Sequence, residues 1–421
     1  MSSQGKGFQF VEFSKRQKQF LYFYHDQSPV KDCDIIIADG SIRSGKTIVS
    51  ICTFLLWSQE KHSHKKFIIA GKSIGALKRN VVEPMKQILT AWGWGYKHNR
   101  SENFIQIGTN TYHLFGANTE ASQDLLQGLT AAGAYGDEVA LFPKSFVDQM
   151  IGRCSVAGAK IFFNCNPNSP YHYFKQEFID KKEEKNIFYL HFTMNDNLSL
   201  DEKVIQRYHR MFSGVFYQRY ILGLWVMAEG IIFDMFDEKK HIVPTISREY
   251  DKYYVSIDYG TQNPFAMGLW GRYGQKWYKI KEYHYSGRES GEQKTDKEYA
   301  DDYEEFIGTI PVKSVIVDPS ATSFITELRN RGHDVTKAKN NIDDGLRRMA
   351  NMLNNEKIAY NDCCKETFKE FKSYVWDAKA AEKGEDKPLQ ENDHHMDSDR
   401  YFINTILYTE QPKVQFFSGI I

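Results

Sequence analysis

The sequence predicts an α/β protein with two domains. The chain has 421 residues, which is long for a single hydrophobic core. A glycine-rich loop at 39–48 lies between a strand pattern and a helix pattern. After residue 250, short apolar segments that end in aspartate predict a second sheet. We therefore expect a first domain at residues 1–228, a linker at 229–248 and a second domain at 249–421.

The composition excludes several classes of protein. Lys plus Arg equals Asp plus Glu at 54 each, so no net charge attracts the chain to nucleic acid, and any contact with DNA must come from local patches. The six cysteines have no zinc-site spacing, which favours reduced thiols in an intracellular compartment. The N-terminus lacks an apolar signal core, and no apolar run is long enough for a membrane span. We expect a soluble protein without a membrane partner.

The stretch DGSIRSGKTI fits the phosphate-binding loop pattern of glycine, four residues, then Gly-Lys-Thr. Its glycines let backbone amides turn inward around a polyphosphate, and the next helix offers its positive N-terminus to the same anion. The flanking CDIIIADG and TIVSICTFLLW predict a buried strand and a buried helix, as the motif requires. The lysine reaches the terminal phosphates, and the threonine hydroxyl can ligate Mg²⁺. We assign ATP binding to Gly40, Arg43, Ser44, Gly45, Lys46 and Thr47.

Two of the predicted ATP contacts have open alternatives. Arg43 can stabilise the γ-phosphate in cis or point to solvent. Gln17, in the upstream segment FVEFSKRQKQFLYF, can present its amide to the adenine edge, donating and accepting at once. We favour Gln17 over Gln19, and an exposed helix position is the alternative for either residue.

An acidic pair follows a weak strand pattern in GAYGDEVALF, about ninety residues after the loop. In this context, Asp137 would hold the magnesium through water and Glu138 would polarise the attacking water as general base. On its own such a pair is common on protein surfaces; its position after the loop favours the catalytic interpretation. The first domain is thus predicted to be a P-loop ATPase of the ASCE type, with a mostly parallel sheet and flanking helices.

A further strand pattern, KIFFN, ends in Asn164, and Asn166 follows it. A polar side chain at this strand end can reach the γ-phosphate or the attacking water, and it would transmit hydrolysis to the next helix. The alternative is an Asn/Pro turn, because both residue types favour turns.

Acidic residues recur at strand ends in the second half. Asp258 ends YYVSID, Glu282 lies near the end of a third strand, and Asp318 ends VKSVIVD. The helix pattern HHMDSDRYF adds Asp397 and, beside it, His394. Such carboxylates repel one another unless a cation neutralises them, and hard oxygen ligands suit Mg²⁺ or Mn²⁺. Two ions would give the ribonuclease-H arrangement for phosphodiester cleavage.

Asp258, Asp318 and Asp397 are the predicted catalytic metal ligands, with Glu282 as a tentative fourth and His394 as a weaker contributor. The alternative is that each aspartate only caps a strand or a helix. The second domain is therefore predicted to be a ribonuclease-H-like α/β nuclease.

Taken together, these motifs resemble the large terminase subunits of tailed bacteriophages, and most closely the short type found in phages and prophages of Gram-positive bacteria. The resemblance covers nearly the whole chain and rests on GSIRSGKT, GAYGDE, NCNPNSP, SIDYGTQNP, VIVDPSAT and HHMDSDRYF in this order. It implies an ATPase that translocates double-stranded DNA into a prohead and a metal-dependent nuclease that cuts concatemers when packaging begins and ends.

The resemblance also implies residue roles and partners. NCNPNSP would be the coupling motif, although the family often has Ser or Thr where Asn164 stands. The third nuclease acid is ambiguous, because Asp393 or Asp399 could replace Asp397. A ring motor needs a finger arginine from a neighbouring subunit, for which Arg79 and Arg153 are the candidates. The implied partners are double-stranded DNA, a small terminase subunit, the portal protein and a homo-oligomeric ring, expected to be a pentamer, when docked.

We expect the protein in the host cytoplasm and transiently at the portal vertex, but not in the mature virion. Two other functions remain open: an ATP-dependent helicase-nuclease of host repair, and a motor whose degenerate nuclease module only binds DNA or the portal. The charged segment 379–393 is predicted to be a mobile loop beside the nuclease site. The tail PKVQFFSGII is expected to pack on its own domain, with portal docking as the alternative.

Overall fold

The isoleucine run of CDIIIADG forms a strand inside a large sheet. This computed structural model describes residues 11–260 and 264–408. Ile36 packs against α2 on one face of the sheet, whereas Ile35 and Ile37 pack against α5 on the other. Burial on both faces explains why this strand is apolar throughout rather than alternating. The eight strands of the first sheet are β1 (Ile35–Gly40), β2 (Lys66–Gly71), β3 (Tyr96–Asn99), β4 (Phe104–Ile107), β5 (Asn110–Gly116), β6 (Gly133–Asp137), β7 (Lys160–Asn164) and β8 (Ile187–Phe192).

The strands of the first sheet follow the order β3-β4-β5-β2-β6-β7-β1-β8. The strands from β5 to β8 along this order run parallel, and β3, β4 and β5 are antiparallel. Strand β7 lies between the loop strand β1 and the acidic strand β6, which is the arrangement of an ASCE-type ATPase. The carboxyl ends of the parallel strands therefore meet at one edge, where ligands of such sheets bind.

The described part of the first half also contains seven α-helices and three π-helical turns. Three π-helical turns cover Lys78–Val82, Lys175–Ile179 and Tyr217–Ile221. The α-helices are α1 (Lys15–Leu21), α2 (Lys46–Lys61), α3 (Ile74–Leu77), α4 (Glu83–Ala91), α5 (Lys144–Arg153), α6 (Glu202–Met211) and α7 (Gly214–Phe216).

The second half builds a separate mixed sheet in the order β14-β13-β10-β11-β12-β15-β9. Strands β10, β11 and β12 form an antiparallel meander, and β13 and β14 add parallel to β10. This is the strand order of the predicted ribonuclease-H-like class, so the predicted fold class is confirmed. The strands are β9 (Ile242–Val243), β10 (Lys252–Asp258), β11 (Phe265–Tyr273), β12 (Lys276–Tyr285), β13 (Val312–Val317), β14 (Val335–Lys337) and β15 (Ile358–Asn361).

The last described α-helix, α15, packs on β10 and β11 of the second sheet, and a π-helical turn at Ile403–Leu407 follows it. Its Ser398 hydroxyl donates to the Ser256 carbonyl of β10 at 2.9 Å, and Phe402 stacks on Trp270 of β11. The helices here are α8 (Glu238–His241), α9 (Gly287–Ser290), α10 (Asp296–Ile307), α11 (Thr322–Asn330), α12 (Ile342–Asn354), α13 (Lys365–Ser373), α14 (Ala378–Glu382) and α15 (His394–Phe402).

The segment predicted as a linker, 229–248, contains regular structure. It includes α8 and the short strand β9, which pairs with β15 at the edge of the second sheet. Ile232 and Phe233 are buried in the core beneath that sheet. The domain limits stay a prediction, and the tail motif after residue 411 lies outside the described residues. In the described ranges, we find no helix with the length and apolarity needed to cross a membrane.

Candidate functional site

The phosphate-binding loop joins β1 to α2, and its two glycines adopt conformations that other residues rarely reach. Gly40 has φ +126° and Gly45 has φ +84°. A Cβ on Gly40 would lie 1.9 Å from the backbone carbonyl oxygen of Phe192. A Cβ on Gly45 would lie 2.5 Å from the side-chain nitrogen Nε2 of Gln17. At Gly40 the contact is with the backbone of β8, so no side chain fits, whereas at Gly45 the contact is with a flexible side chain and the positive φ is what favours glycine.

The ammonium of Lys46 is held inside the loop. Its Nζ donates to the carbonyls of Gly40 at 3.0 Å and Ser41 at 2.6 Å, and to the side chains of Ser44 and Asn166 at 3.2 Å each. Burial lowers the pKa of Lys46 to about 8. An anion beside this nitrogen would favour its charged form, which is what a phosphate-binding lysine requires.

The magnesium-binding groups predicted from sequence come together at the edge of the sheet. The Thr47 hydroxyl lies 3.2 Å from Asp137 Oδ1, and Asn164 Nδ2 donates to the same oxygen at 2.8 Å. The Tyr135 hydroxyl donates to it at 2.9 Å. Burial raises the pKa of Asp137. A bound cation at Thr47 and Asp137 would offset this desolvation of the carboxylate.

Glu138 follows the strand with a left-handed backbone, φ 59° and ψ 47°, which turns it out of the sheet. Its amide donates to Asn164 Oδ1 at 2.8 Å, so one asparagine contacts both acids. Burial and the neighbouring Asp137 raise the pKa of Glu138. Asn164 and Asn166 thus contact the acidic pair and Lys46 respectively, which an ordinary turn does not require.

These groups surround a cavity of about 560 Å³. Gln17 lines it, although its Oε1 accepts from the amide of Ser14 at 3.0 Å in the cap of α1. Arg43 also lines it, and its Nε donates to the Tyr208 hydroxyl at 3.0 Å. The predicted ATP-site residues that line the cavity are Gln17, Arg43, Ser44, Gly45, Lys46, Thr47, Asp137, Glu138, Asn164 and Asn166. Gly40 does not line the cavity, but its carbonyl accepts from Lys46, which does.

The two arginine-finger candidates occupy different places. Arg79 lines the nucleotide cavity of its own chain. Arg153 ends α5, where its carbonyl accepts from the amide of Ala131. Neither position identifies a residue that acts on a neighbouring subunit, and the finger assignment stays a prediction.

A second acidic site forms where β10 and β13 end side by side. The two strands are parallel neighbours with Ile257 paired to Val317, so Asp258 and Asp318 emerge at the same edge. Neighbouring strands lie about 4.8 Å apart, which brings both carboxylates within reach of shared ions. Asp397 enters from the first turn of α15. The three acids predicted from sequence are therefore brought together.

The electrostatics of the three acids differ. Burial, with the nearby carboxylates of Asp397 and Asp393, raises the pKa of Asp258 to about 6, although His394 Nδ1 lies 2.9 Å from its Oδ2. Burial also disfavours ionised Asp318, but hydrogen bonds from Ser320 and Tyr401 lower its pKa below the usual value. Ionisation is therefore favoured at Asp318 and disfavoured at Asp258, where a bound cation would offset the unfavourable environment of the carboxylate.

The helix geometry separates the candidates for the third acid. Asp399 is fully buried, and its carboxylate lies 2.7 Å from the Lys279 ammonium. Residues two apart on a helix differ by about 200° in direction, so Asp397 and Asp399 cannot serve one site. Asp397 and Asp393 both influence Asp258 and remain the candidates.

Glu282 has other contacts. Its oxygens accept from the amides of Glu366 at 2.7 Å and Thr367 at 3.0 Å, at the start of α13. The Thr367 hydroxyl donates to it at 2.6 Å. Its role as a metal ligand stays a prediction, and the structure gives this carboxylate a helix-capping role.

Sequence reasoning missed two tyrosines. Tyr135 precedes Asp137 by two positions on β6, so the strand period places both on the same face, but the sequence pattern marks this segment only as a weak strand. Tyr401 donates to Asp318 Oδ2 at 2.6 Å. It follows Asp397 by four positions and therefore shares its helix face, a signal that the sequence does contain.

Comparisons with known proteins identify the family. A family model described as "Terminase large subunit, T4likevirus-type, N-terminal" matches residues 37–240. The curated large terminase subunit of Escherichia phage T5 is 25% identical over 232 residues, which cover 52% of this chain and 51% of that protein. The chain thus matches only about half of the length of this curated relative.

Solved structures provide closer relatives. The large terminase of a thermophilic bacteriophage, in its crystal form 2, is 57% identical, with a TM-score of 0.91 over 94% of this chain and 100% of that one. The same thermophilic phage protein in complex with ADP gives 57% and 0.88, and in complex with ATP-γ-S 56% and 0.87, both with the same coverage. Because this identity extends over the whole of a solved relative, the chain belongs to the bacteriophage large terminase family.

Proposed function

We propose that this chain packages viral DNA: ATP hydrolysis drives double-stranded DNA into a prohead, and a two-metal nuclease cuts concatemeric DNA at the beginning and end of packaging. The observation that carries the motor function is the convergence of Lys46, Thr47 and the acidic pair on one cavity. The complexes of the thermophilic phage relative with ADP and ATP-γ-S support ATP as the ligand here.

The geometry of the cavity supports a division of labour. Thr47 and Asp137 would hold Mg²⁺, which supplies positive charge to the β- and γ-phosphates. Glu138, whose pKa is raised by burial, would orient the attacking water and accept its proton. Asn164 ends β7 and contacts both acids. If the two acids shift when the γ-phosphate is lost, the end of β7 would therefore shift with them. This contact supports the coupling role of Asn164, with Asn166 reporting on Lys46.

The second site supports metal-dependent cleavage of phosphodiesters. Asp258, Asp318 and Asp397 supply only carboxylate oxygens, the donor type that Mg²⁺ and Mn²⁺ prefer. The half-buried carboxylates around Asp258 fit this assignment: Arg400 pairs with Asp397 at 2.8 Å, and divalent ions would offset the repulsion that remains. Two ions at this edge would supply charge to the attacking and leaving oxygens of DNA. His394 would orient Asp258 through their hydrogen bond.

The partners and location extend this proposal. The chain would act on double-stranded DNA with a small terminase subunit and the portal protein, as a homo-oligomeric ring, expected to be a pentamer, when docked. It would work in the host cytoplasm and at the portal vertex and would be absent from the mature virion. Family membership supports these partners.

The two activities can be separated by two substitutions in the full-length chain. Lys46→Ala should abolish ATP hydrolysis, because the phosphates lose their lysine, and should leave Mn²⁺-supported plasmid cleavage unchanged. Asp258→Ala should abolish plasmid cleavage and leave ATP hydrolysis unchanged. Both rates are measured on each variant after circular dichroism has confirmed folding. Undiminished ATP turnover in the first variant would reject the motor site, and undiminished cleavage in the second would reject the nuclease site.

A further inference from the structure

A cluster of two histidines and a glutamate lies beside the start of α15, apart from the aspartate site. His284 comes from β12, Glu370 from α13 and His395 from the first turn of α15. One donor atom of each residue lies within 4.8 Å of the donor atoms of the other two. Donor atoms bound to one zinc-sized ion at about 2.1 Å lie up to about 4.2 Å apart, so a small inward movement would complete the coordination.

Two of the three side chains, Glu370 and His395, are buried, and His284 is half-buried. His395 is 0% exposed, and its Nε2 has no hydrogen-bond partner among the described residues. A buried polar atom without a partner costs free energy, which a ligand would recover. The His284 ring lies against that of His395 with centroids 5.4 Å apart. Glu370 is fixed by its Oε2, which accepts from the amides of His395 at 2.7 Å and Met396 at 2.9 Å.

One ammonium and two carboxylates lie beside the cluster. Lys279 is paired with Asp399 at 2.7 Å, and both side chains are fully buried. The Lys279 ammonium also lies 3.5 Å from His395 Nδ1. Glu282 caps the start of α13, and its Oε2 lies 3.8 Å from His395 Nδ1. A metal ion would therefore bind the other ring nitrogen of His395, Nε2.

We propose that His284, Glu370 and His395 bind one transition-metal dication, with Zn²⁺ favoured. Two imidazoles and one carboxylate form a donor set that suits Zn²⁺, whereas Mg²⁺ favours oxygen ligands. The ion would tie β12 and α13 to the first turn of α15, where His394 and Asp397 face the aspartate site. The metal site is independent of the proposed nuclease function; only its role in positioning His394 and Asp397 rests on that function.

Zinc stoichiometry tests the site in a background where the aspartate site cannot bind metal. Asp258→Asn/Asp318→Asn protein is stripped by a chelator, incubated with Zn²⁺ and freed of unbound metal. We then expect about one equivalent of Zn²⁺ by elemental analysis and a rise in melting temperature of several degrees over the stripped protein. Adding His284→Asn or Glu370→Gln should remove both the bound zinc and the shift. His333→Ala is the matched control, because His333 lies 3.1 Å from a glutamate on the surface and should change neither. Mg²⁺ at the same concentration should give no shift.

Equal zinc content and equal melting shifts with and without His284→Asn would overturn the proposal. If the glutamine variant fails to fold, anomalous scattering at the zinc edge from crystals of the zinc-soaked natural protein decides the matter. A peak between the three side chains supports the site, and a peak elsewhere or none rejects it. Plasmid cleavage with Mn²⁺ is measured separately on protein with natural aspartates, so a failure of the nuclease proposal is distinguishable from a failure of the zinc site.

Discussion

At the residue scale, the candidate ATP site depends on the hydroxyl of Tyr135, to which the sequence motifs assign no role. The Tyr135 hydroxyl donates to Asp137 and accepts from Asn164 Nδ2 at 2.8 Å. It thereby fixes the orientation of the two side chains that would report the state of the γ-phosphate. A buried hydroxyl in such a network contributes about 1–3 kcal/mol, because its removal leaves two polar groups short of a partner.

Tyr135→Phe should therefore lower kcat of ATP hydrolysis about tenfold, with nucleotide binding largely retained. Tyr112→Phe is the matched control: Tyr112 is equally buried in the same sheet, but its hydroxyl contacts Ser58 and Gln59. Steady-state kinetics and nucleotide titrations measure the two effects. Equal kcat values for the two variants would contradict a specific role for Tyr135.

In metal-free protein, substitution of Asp258 and substitution of Asp318 should change the free energy of unfolding in opposite directions. The pKa of Asp258 is raised to about 6 by burial, so its contribution to stability is present below about pH 4 and is lost as the pH rises through 6. The pKa of Asp318 is lowered, so its contribution is present at neutral pH and is lost as the pH falls through the folded-state value.

At pH 7.5, Asp258→Asn should raise the free energy of unfolding of metal-free protein by about 1–3 kcal/mol, whereas Asp318→Asn should lower it. Denaturant unfolding in chelator measures both, and repeating it at pH 4.5 should shrink the gain from Asp258→Asn. The same sign for both variants at neutral pH would show that their environments do not differ as described.

At the element scale, the phosphate-binding loop is shaped by contact with β8. Gly40 has φ +126°, and its Cα faces the Phe192 carbonyl so closely that no side chain fits. The sequence predicts a glycine here for its backbone angles, but the contact with β8 is a separate reason, since the strands are distant in sequence and parallel neighbours in the sheet.

Gly40→Ala should lower stability by more than about 2 kcal/mol and weaken ATP binding, because the clash is with backbone that cannot move aside. Gly128→Ala is the control, since Gly128 also has positive φ, +75°, but nothing lies within 4 Å of an added Cβ. The control should lose only about 1–2 kcal/mol, from the backbone conformation alone. Thermal melts and nucleotide titrations compare the two, and equal losses would rule out the contact with β8 as the cause.

At the scale of the whole molecule, an ion pair joins the segment after the first sheet to the loop that leads into α15. Arg219 pairs with Asp386, and its Nη1 also donates to Asn168 at 3.2 Å, in the loop that follows β7. The side chains of Arg219 and Asp386 are only 7% and 10% exposed. The sequence predicts that the segment 379–393 is mobile; part of it forms α14, and Asp386 is held by this contact.

Arg219→Ala should lower the free energy of unfolding by about 3–5 kcal/mol, because it leaves the Asp386 carboxylate buried without its partner. Adding Asp386→Ala should recover part of this loss, as expected for directly coupled residues. The exposed pair of Arg272 and Asp251 is the control, and its removal should cost less than about 1 kcal/mol. If the double variant loses as much free energy of unfolding as the Arg219 and Asp386 variants together, the two residues are not directly coupled.

Local sequence patterns predict most of the strands and helices that carry the two candidate sites, but not the regular structure at 229–248 or the helix α14. The phosphate-binding loop, the acidic pair and the three aspartates are readable because each follows a strand pattern or begins a helix pattern, and parallel strands bring their carboxyl ends to one edge. Tertiary structure alone decided which partners these groups meet. Asp399 pairs with Lys279, and Glu282 caps α13. The donor atoms of His284, Glu370 and His395, which belong to three different elements, lie close together. These contacts join residues from 25 to 120 positions apart, and local patterns carry no information on them.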